Sequence, residues 1–105
     1  MKMYEAGIVA IAKNENRYLL EWAAYHLALG FQHIWIYDNG SDIKLARVFS
    51  RFHSKKYVTV IRWPNATDGR TQINAYNNYL SKFRDRVSWT AVIDIDEMIC
   101  LKKIQ

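Results

Sequence analysis

Near the C-terminus three carboxylates occupy the short stretch Asp94-Ile95-Asp96-Glu97, directly after an uncharged run, Trp89-Thr90-Ala91-Val92-Ile93. The run is rich in β-branched and aromatic side chains, the pattern of a strand buried on both faces. Side chains alternate along a strand, so a strand continued into the acids puts Asp94 and Asp96 on one face, with Cα atoms about 6–7 Å apart. Like charges held that close repel unless a cation or a hydrogen-bond donor compensates them. Oxygen ligands at the open end of a strand suit a hard divalent ion that keeps several waters and bridges to phosphate groups. The plainer alternative is that the acids only end the strand and face water. A bare Asp-x-Asp does not decide between the two; the elements around it must.

Those elements alternate. Residues 6–12 are apolar and rich in small side chains, a buried strand that stops at the polar turn Lys13-Asn14-Glu15-Asn16. From there to Leu29 the spacing is helical, with Leu20, Ala23, Ala24 and Leu27 on one face and Gly30 as the stop. Trp22 and Tyr25 widen the apolar face, so this helix is expected to pack on a sheet and on something else besides. His26 within it reads as a packed or capping residue rather than a ligand. A second strand, residues 32–37, closes with Asp38-Asn39-Gly40-Ser41-Asp42, whose Asn-Gly supplies a positive-φ position. Ser41 is expected to cap a helix carrying Leu45, Val48, Phe49 and Phe52 at i, i+3, i+4 and i+7. A third strand, residues 57–63, is ended by Pro64. A polar loop over residues 65–70 leads to Thr71, the expected cap of a third helix with Ile73, Tyr76, Leu80 and Phe83 as its apolar stripe.

The order β-α-β-α-β-α-β implies an α/β fold: a mostly parallel sheet with helices on both faces, joined by right-handed crossovers. Ligands of such sheets bind beyond the C-terminal ends of the strands. The polar residues fall there: Lys13, Asn14 and Glu15 after the first strand, Asp38 after the second, Arg62 at the end of the third, Asp94 and Asp96 at the end of the fourth. That convergence favours the metal-binding reading of the acids. A diphosphate held by an ion and by turn amides would fit the same edge.

Composition narrows the field further. One domain of 105 residues is expected, with hydrophobic residues at 50% and only four glycines and one proline, which excludes disorder and low complexity. No apolar run approaches the roughly 20 residues of a membrane span, and no secretory signal is visible at the N-terminus. The single cysteine, Cys100, reads as a small core residue beside Met98 and Ile99. These features point to a reducing, cytoplasmic setting. A formal charge of +5 favours anionic partners, although the basic residues are dispersed. Neither a Gly-x-Gly-x-x-Gly nor a P-loop motif is present, nor a Cys/His cluster at zinc spacing, nor a nucleophile elbow.

Taken together, the chain resembles the N-terminal half of family 2-type glycosyltransferases of the GT-A (Rossmann-like) fold, in the branch with Lys-Asn-Glu after the first strand. The matching blocks are Ala10 to Glu15, Glu21 to His26 with Gly30-Phe31, Ile36 to Asp42, Gln72 with Ala75-Tyr76-Asn77, and Trp89 to Glu97. Their order and spacing cover nearly the whole chain. The resemblance implies a nucleotide-sugar-binding half-domain spanning residues 1–105. It puts Ala12, Lys13, Asn14, Glu15, Asp38, Gln72 and Asp94 around the nucleotide sugar, with Asp38 near the base. Asp94 also serves the metal, and Asp96 ligates Mn²⁺ or Mg²⁺ bridging the diphosphate. Glu97 is either a hydrogen-bonding support or an exposed acid. The donor implied is a nucleoside-diphosphate sugar, a UDP-sugar first among them, and the acceptor a saccharide or a lipid-linked hydroxyl at the membrane surface.

Family members continue well past the Asp-x-Asp into a half that carries the acceptor site, whereas eight residues follow Glu97 here. The catalytic base is therefore unassigned, and nucleotide binding without robust transfer is expected of this chain alone. Its C-terminal edge is expected to be sticky and to support a homo-oligomer. Two rival readings are a non-catalytic α/β interaction or regulatory module with solvated acids, and a nucleic-acid-binding domain drawn by the positive charge. The second predicts salt-sensitive oligonucleotide binding that survives loss of the acids; no nucleic-acid partner is expected.

Overall fold

β1 (Tyr4–Ala12) carries the run of small and β-branched residues and is one of two inner strands of a four-stranded sheet. The computed structural model describes residues 2–50, 56–64 and 69–100. After β1 come α1 (Asn16–Leu29), β2 (His33–Asp38), a short 3₁₀ helix (Leu45–Phe49), β3 (Val58–Arg62), α2 (Thr71–Phe83), a one-turn 3₁₀ segment (Arg84–Arg86) and β4 (Val87–Val92). The strand order is β3-β2-β1-β4 and every pairing is parallel. The chain thus steps outward from β1 to β3, and α2 then carries it back past β1 to lay β4 on the other side. The order reverses between β1 and β4, and in open parallel sheets the crevice at such a reversal is where ligands bind.

Alternation along the strands divides the core in two. Ile8, Ala10 and Ala12 of β1 join Ile34 and Ile36 of β2 under α1 and the 3₁₀ helix. Val9 joins Trp35 and Tyr37 under Ala75 and Tyr79 of α2, with Ile11 packed at the margin. Both faces are covered, as the strand-helix order implies. Gly7 makes room for the indole between the layers, since a Cβ there would lie 2.7 Å from Cζ3 of Trp35. Gly30 ends α1 in the left-handed conformation at φ 116°, with its N–H turned back to the carbonyls of His26 and Leu27, which glycine adopts without steric cost.

Several sequence-based expectations are corrected. The buried stripe of α1 is Leu19, Trp22, Ala23 and His26, one position away from the Leu20/Ala24 reading, because turning Trp22 inward buries far more surface than turning Ala24 inward. In α2 the sheet-facing residues are Ala75 and Tyr79, while Ile73 and Leu80 are 61% and 51% exposed. Arg70, not Thr71, occupies the cap position of α2. The second expected helix is only the 3₁₀ segment Leu45–Phe49, and Phe52 lies outside the described residues, as does the part of the polar loop over 65–68. Ser41 does not cap that segment; its hydroxyl accepts from the N–H of Asn14 at 2.8 Å. β4 begins and ends earlier than the Trp89–Ile93 run and, among the described residues, pairs only with β1. It is an edge strand, with Trp89 73% and Val92 58% exposed. A short apolar run reads alike in a central and an edge strand. Cys100 is exposed rather than in the core.

Candidate functional site

The turn after β1 is built by Asn14. It takes the left-handed conformation at φ 56°, which a short amide side chain tolerates better than most. Its Oδ1 accepts from the N–H of Asp42 at 2.9 Å, and its own N–H donates to Ser41. The β1–α1 turn and the β2 loop are thereby stapled together, with Asn39 N–H donating to the Ala12 carbonyl at 2.8 Å beneath them. Glu15 then opens α1, its carbonyl accepting from Tyr18 and Leu19. Lys13 is exposed beside it.

Asp38 sits one strand over, in register with Ala12 and Arg62. Its carboxylate is buried and accepts from Ser41 N–H at 3.0 Å, Leu45 N–H at 2.9 Å and the Arg62 guanidinium at 2.9 Å. Burial alone would raise its pKa. The Ser41 side chain, the two amides and Arg62 outweigh burial and hold the carboxyl below its ordinary value of 3.8. Asp38 lines a small cleft of about 110 Å³ with Lys44 and Arg62, apart from the other acids.

On the far side of β1 the sheet ends differently. The N–H of Ile93 still reaches the Val9 carbonyl at 3.4 Å, and the chain then turns. Glu97 N–H donates to the Asp94 carbonyl at 3.0 Å, and Asp94 N–H donates to Glu97 Oε1 at 2.9 Å. Ile95 points into the core at 6% exposure, so Asp94, Asp96 and Glu97 are left outside. A turn gathers the acids, not strand alternation. One carboxylate oxygen from each lies within 4.8 Å of the others. Neighbouring oxygens on a Mg²⁺-sized ion are about 3 Å apart and opposite ones about 4.2 Å, so the exposed side chains must close by up to about 2 Å to share one ion. The donor set, three carboxylates and no nitrogen or sulfur, is that of a hard ion.

The acidic turn faces Lys13 and Glu15. Ile11, Ala12, Lys13, Glu15, Asp94, Ile95 and Asp96 line one cleft of about 220 Å³ at the ends of β1 and β4. A second cleft of about 380 Å³ adjoins it, sharing Glu15, Ile95 and Asp96 and adding Tyr18, Glu21, Trp22 and Met98. The structure thus brings together Ala12, Lys13, Glu15, Asp94 and Asp96. It gives Asn14 and Asp38 their contacts in the loops behind. Gln72 is exposed on the first turn of α2, and its side chain hydrogen-bonds to Tyr76.

Tyr76, placed by its spacing in an apolar stripe and by the resemblance in a matching block, lies near this edge. Burial raises its pKa, and the nearby carboxylates of Asp94 and Glu97 add to the rise despite the Gln72 hydrogen bond. A tyrosine rather than a leucine at a stripe position was the available signal, because a half-buried hydroxyl needs a partner. A larger cleft of about 620 Å³, lined by Tyr4, Leu27, Phe31 and Lys56 among others, lies at the opposite end of the strands. It contains none of these acids.

The profile of Glycosyltransferase family 92 matches residues 9–104. A glycosyltransferase family 92 protein of Oryza sativa subsp. japonica is 31% identical over 99 residues, which is 93% of this chain and 16% of that protein. One of Ricinus communis is 30% identical over 95% of this chain and 17% of its own length. One of Arabidopsis thaliana is 27% identical over 90% of this chain and 16% of its own length. The chain therefore spans about a sixth of the curated relatives it matches. No solved structure matches it. The match is to family 92, whereas the motifs were likened to the family 2 type.

Proposed function

The chain belongs to glycosyltransferase family 92, and we propose that it forms the nucleotide-sugar-binding half of a GT-A-type domain within a longer transferase. The observation that carries the reading is the cleft at the reversal of strand order, where Lys13 and Glu15 meet Asp94 and Asp96. In this reading Asp96 and Asp94 hold Mn²⁺ or Mg²⁺, with Glu97 as a third oxygen donor or a support for the turn. When bound, the ion supplies Lewis acidity to the departing nucleoside diphosphate. Lys13 places a positive charge beside the diphosphate oxygens. Ala12 and Glu15 form the floor and wall of the pocket. Asn14 holds the turn that carries Lys13 and Glu15, Asp38 keeps the loop after β2 folded, and Gln72 acts through Tyr76. The substrate class is a nucleoside-diphosphate sugar, a UDP-sugar first, and the acceptor a saccharide or lipid-linked hydroxyl. Among the described residues no helix is long and apolar enough to cross a membrane.

The test is thermal stability against a panel of nucleoside diphosphates, with and without Mn²⁺, on the wild type and on Asp96→Ala. A shift that requires both the ion and Asp96 supports the reading. A shift indifferent to both, or none with any nucleotide, removes it.

A further inference from the structure

Within itself the acidic turn is held by two hydrogen bonds between Asp94 and Glu97. It lies beyond the last residue of β4, its acids are exposed, and within it only Ile95 is buried. What ties it to the rest of the fold, besides the buried Ile95, is one turn of α1. Trp22, Tyr25 and His26 stand at i, i+3 and i+4, side by side on the helix. Trp22 Nε1 donates to the Glu97 carbonyl at 2.8 Å. The Tyr25 hydroxyl donates to the Ile99 carbonyl at 2.6 Å. His26 Nε2 accepts from the Ile99 N–H at 3.2 Å, and the other ring nitrogen, Nδ1, then carries the proton and donates to the Trp22 carbonyl at 2.8 Å. His26 is fully buried, and its ring lies against those of Trp22 and Tyr25, at 4.8 and 5.0 Å between centroids.

We infer that Trp22, Tyr25 and His26 form a latch that positions the acidic turn for its cation, and that the three are positioning residues of the site. Every bond from this trio to residues 97–99 goes to backbone atoms, one in the turn at Glu97 and two just beyond it at Ile99, so it fixes where the chain runs without engaging the acids' side chains. Hydrophobic packing alone would call for leucines at these positions. Polar atoms placed in the core are costly unless paired, and here each finds its pair in residues 97–99 or in the helix itself. That arrangement permits one path for the segment and penalises others. A divalent ion needs such a path, because its oxygen donors must converge to within a few tenths of an ångström. Partners standing behind metal ligands typically change affinity about 10- to 100-fold when removed.

The inference rests on the metal-binding reading of Asp94, Asp96 and Glu97, and one titration separates the two. Mn²⁺ alone is titrated into the 105-residue protein, with free Mn²⁺ read by electron paramagnetic resonance, for the wild type, Tyr25→Phe, Trp22→Phe and Leu19→Val. Leu19 is buried in α1 and serves as a control for lost packing. Melting temperature and amide exchange at Ile99 are measured on the same samples. The expected result is roughly tenfold weaker Mn²⁺ binding in Tyr25→Phe and Trp22→Phe, faster exchange at Ile99, and unchanged affinity in Leu19→Val even where its melting temperature falls as far. Wild-type binding that Tyr25→Phe retains within twofold overturns the latch alone. An equal loss of affinity in Leu19→Val overturns it too, reducing the trio to general stability. A wild type that takes up no Mn²⁺ overturns the metal reading and the latch with it.

Discussion

The carboxylate of Asp38 meets three donors within 3.0 Å, whereas Asp96, two strands away, is exposed in a cleft. Two identical side chains at one edge of the sheet therefore have opposite consequences. Asp38→Asn keeps the shape but loses the charge, and its amide would set N–H groups against N–H donors. Hydrogen bonds to a charged group contribute about 1.5–3 kcal/mol, so a loss of about 2 kcal/mol in denaturant unfolding is expected. Its pH dependence follows from the sign of the shift. A carboxyl held below its ordinary 3.8 contributes stability that is present above that value and is lost as pH falls through the lower, folded-state value. Wild-type stability should therefore drop more steeply than that of Asp38→Asn below about pH 4, and the gap between them should narrow. Equal acid slopes would mean that the carboxylate is not ionised in the native loop. Asp38 and Asp96 look alike in the sequence because each simply ends a strand. What separates them is whether the following loop folds back with free amides, as Ser41 and Leu45 do, and no spacing rule reports that.

At the scale of elements, the sequence was most legible where periodicity met a clear stop. The strand over residues 6–12, the helix to Leu29 and the glycine after it all stand where the pattern put them. It was least legible where several faces of one element are apolar. α1 carries leucine, alanine and aromatic residues around most of its circumference, so only packing against Ile8, Ala10 and Ile95 selects Leu19, Trp22, Ala23 and His26 as its inner face. β4 illustrates the reverse error, since the most aromatic residue of the run is the most exposed. Trp89→Thr should change unfolding free energy by no more than about 0.5 kcal/mol, as for surface changes generally. Gly7→Ala, nearly invisible in the sequence, should cost about 1–3 kcal/mol, because the new methyl meets the rigid ring of Trp35 rather than a flexible tip. Urea unfolding of the two variants checks the ranking; a larger loss for Trp89→Thr would mean that the edge of β4 is covered.

The whole molecule places its stability and its candidate chemistry on different sides of β1. The Asp38–Arg62 ion pair stands over β2 and β3, while the acid-lined cleft stands over β1 and β4. Distant, independent effects add, so ligand stabilisation and the loss from Asp38→Asn should be separable. A nucleoside diphosphate with Mn²⁺ at about ten times its Kd stabilises the folded state by about 1.4 kcal/mol. In a domain of this size that raises Tm by roughly 5–10 °C. Asp38→Asn should melt lower than the wild type yet show the same increment with ligand. Asp96→Ala should melt close to the wild type, its side chain being exposed, and show almost none. The opposite pattern, an increment lost with Asp38 and kept without Asp96, would move the nucleotide from the β1–β4 crevice to the neighbouring cleft of Asp38, Lys44 and Arg62. Charge makes that contrast sharp: the first cleft needs a cation before it can accept a diphosphate, whereas the second has two basic side chains of its own and would bind the nucleotide with or without Mn²⁺.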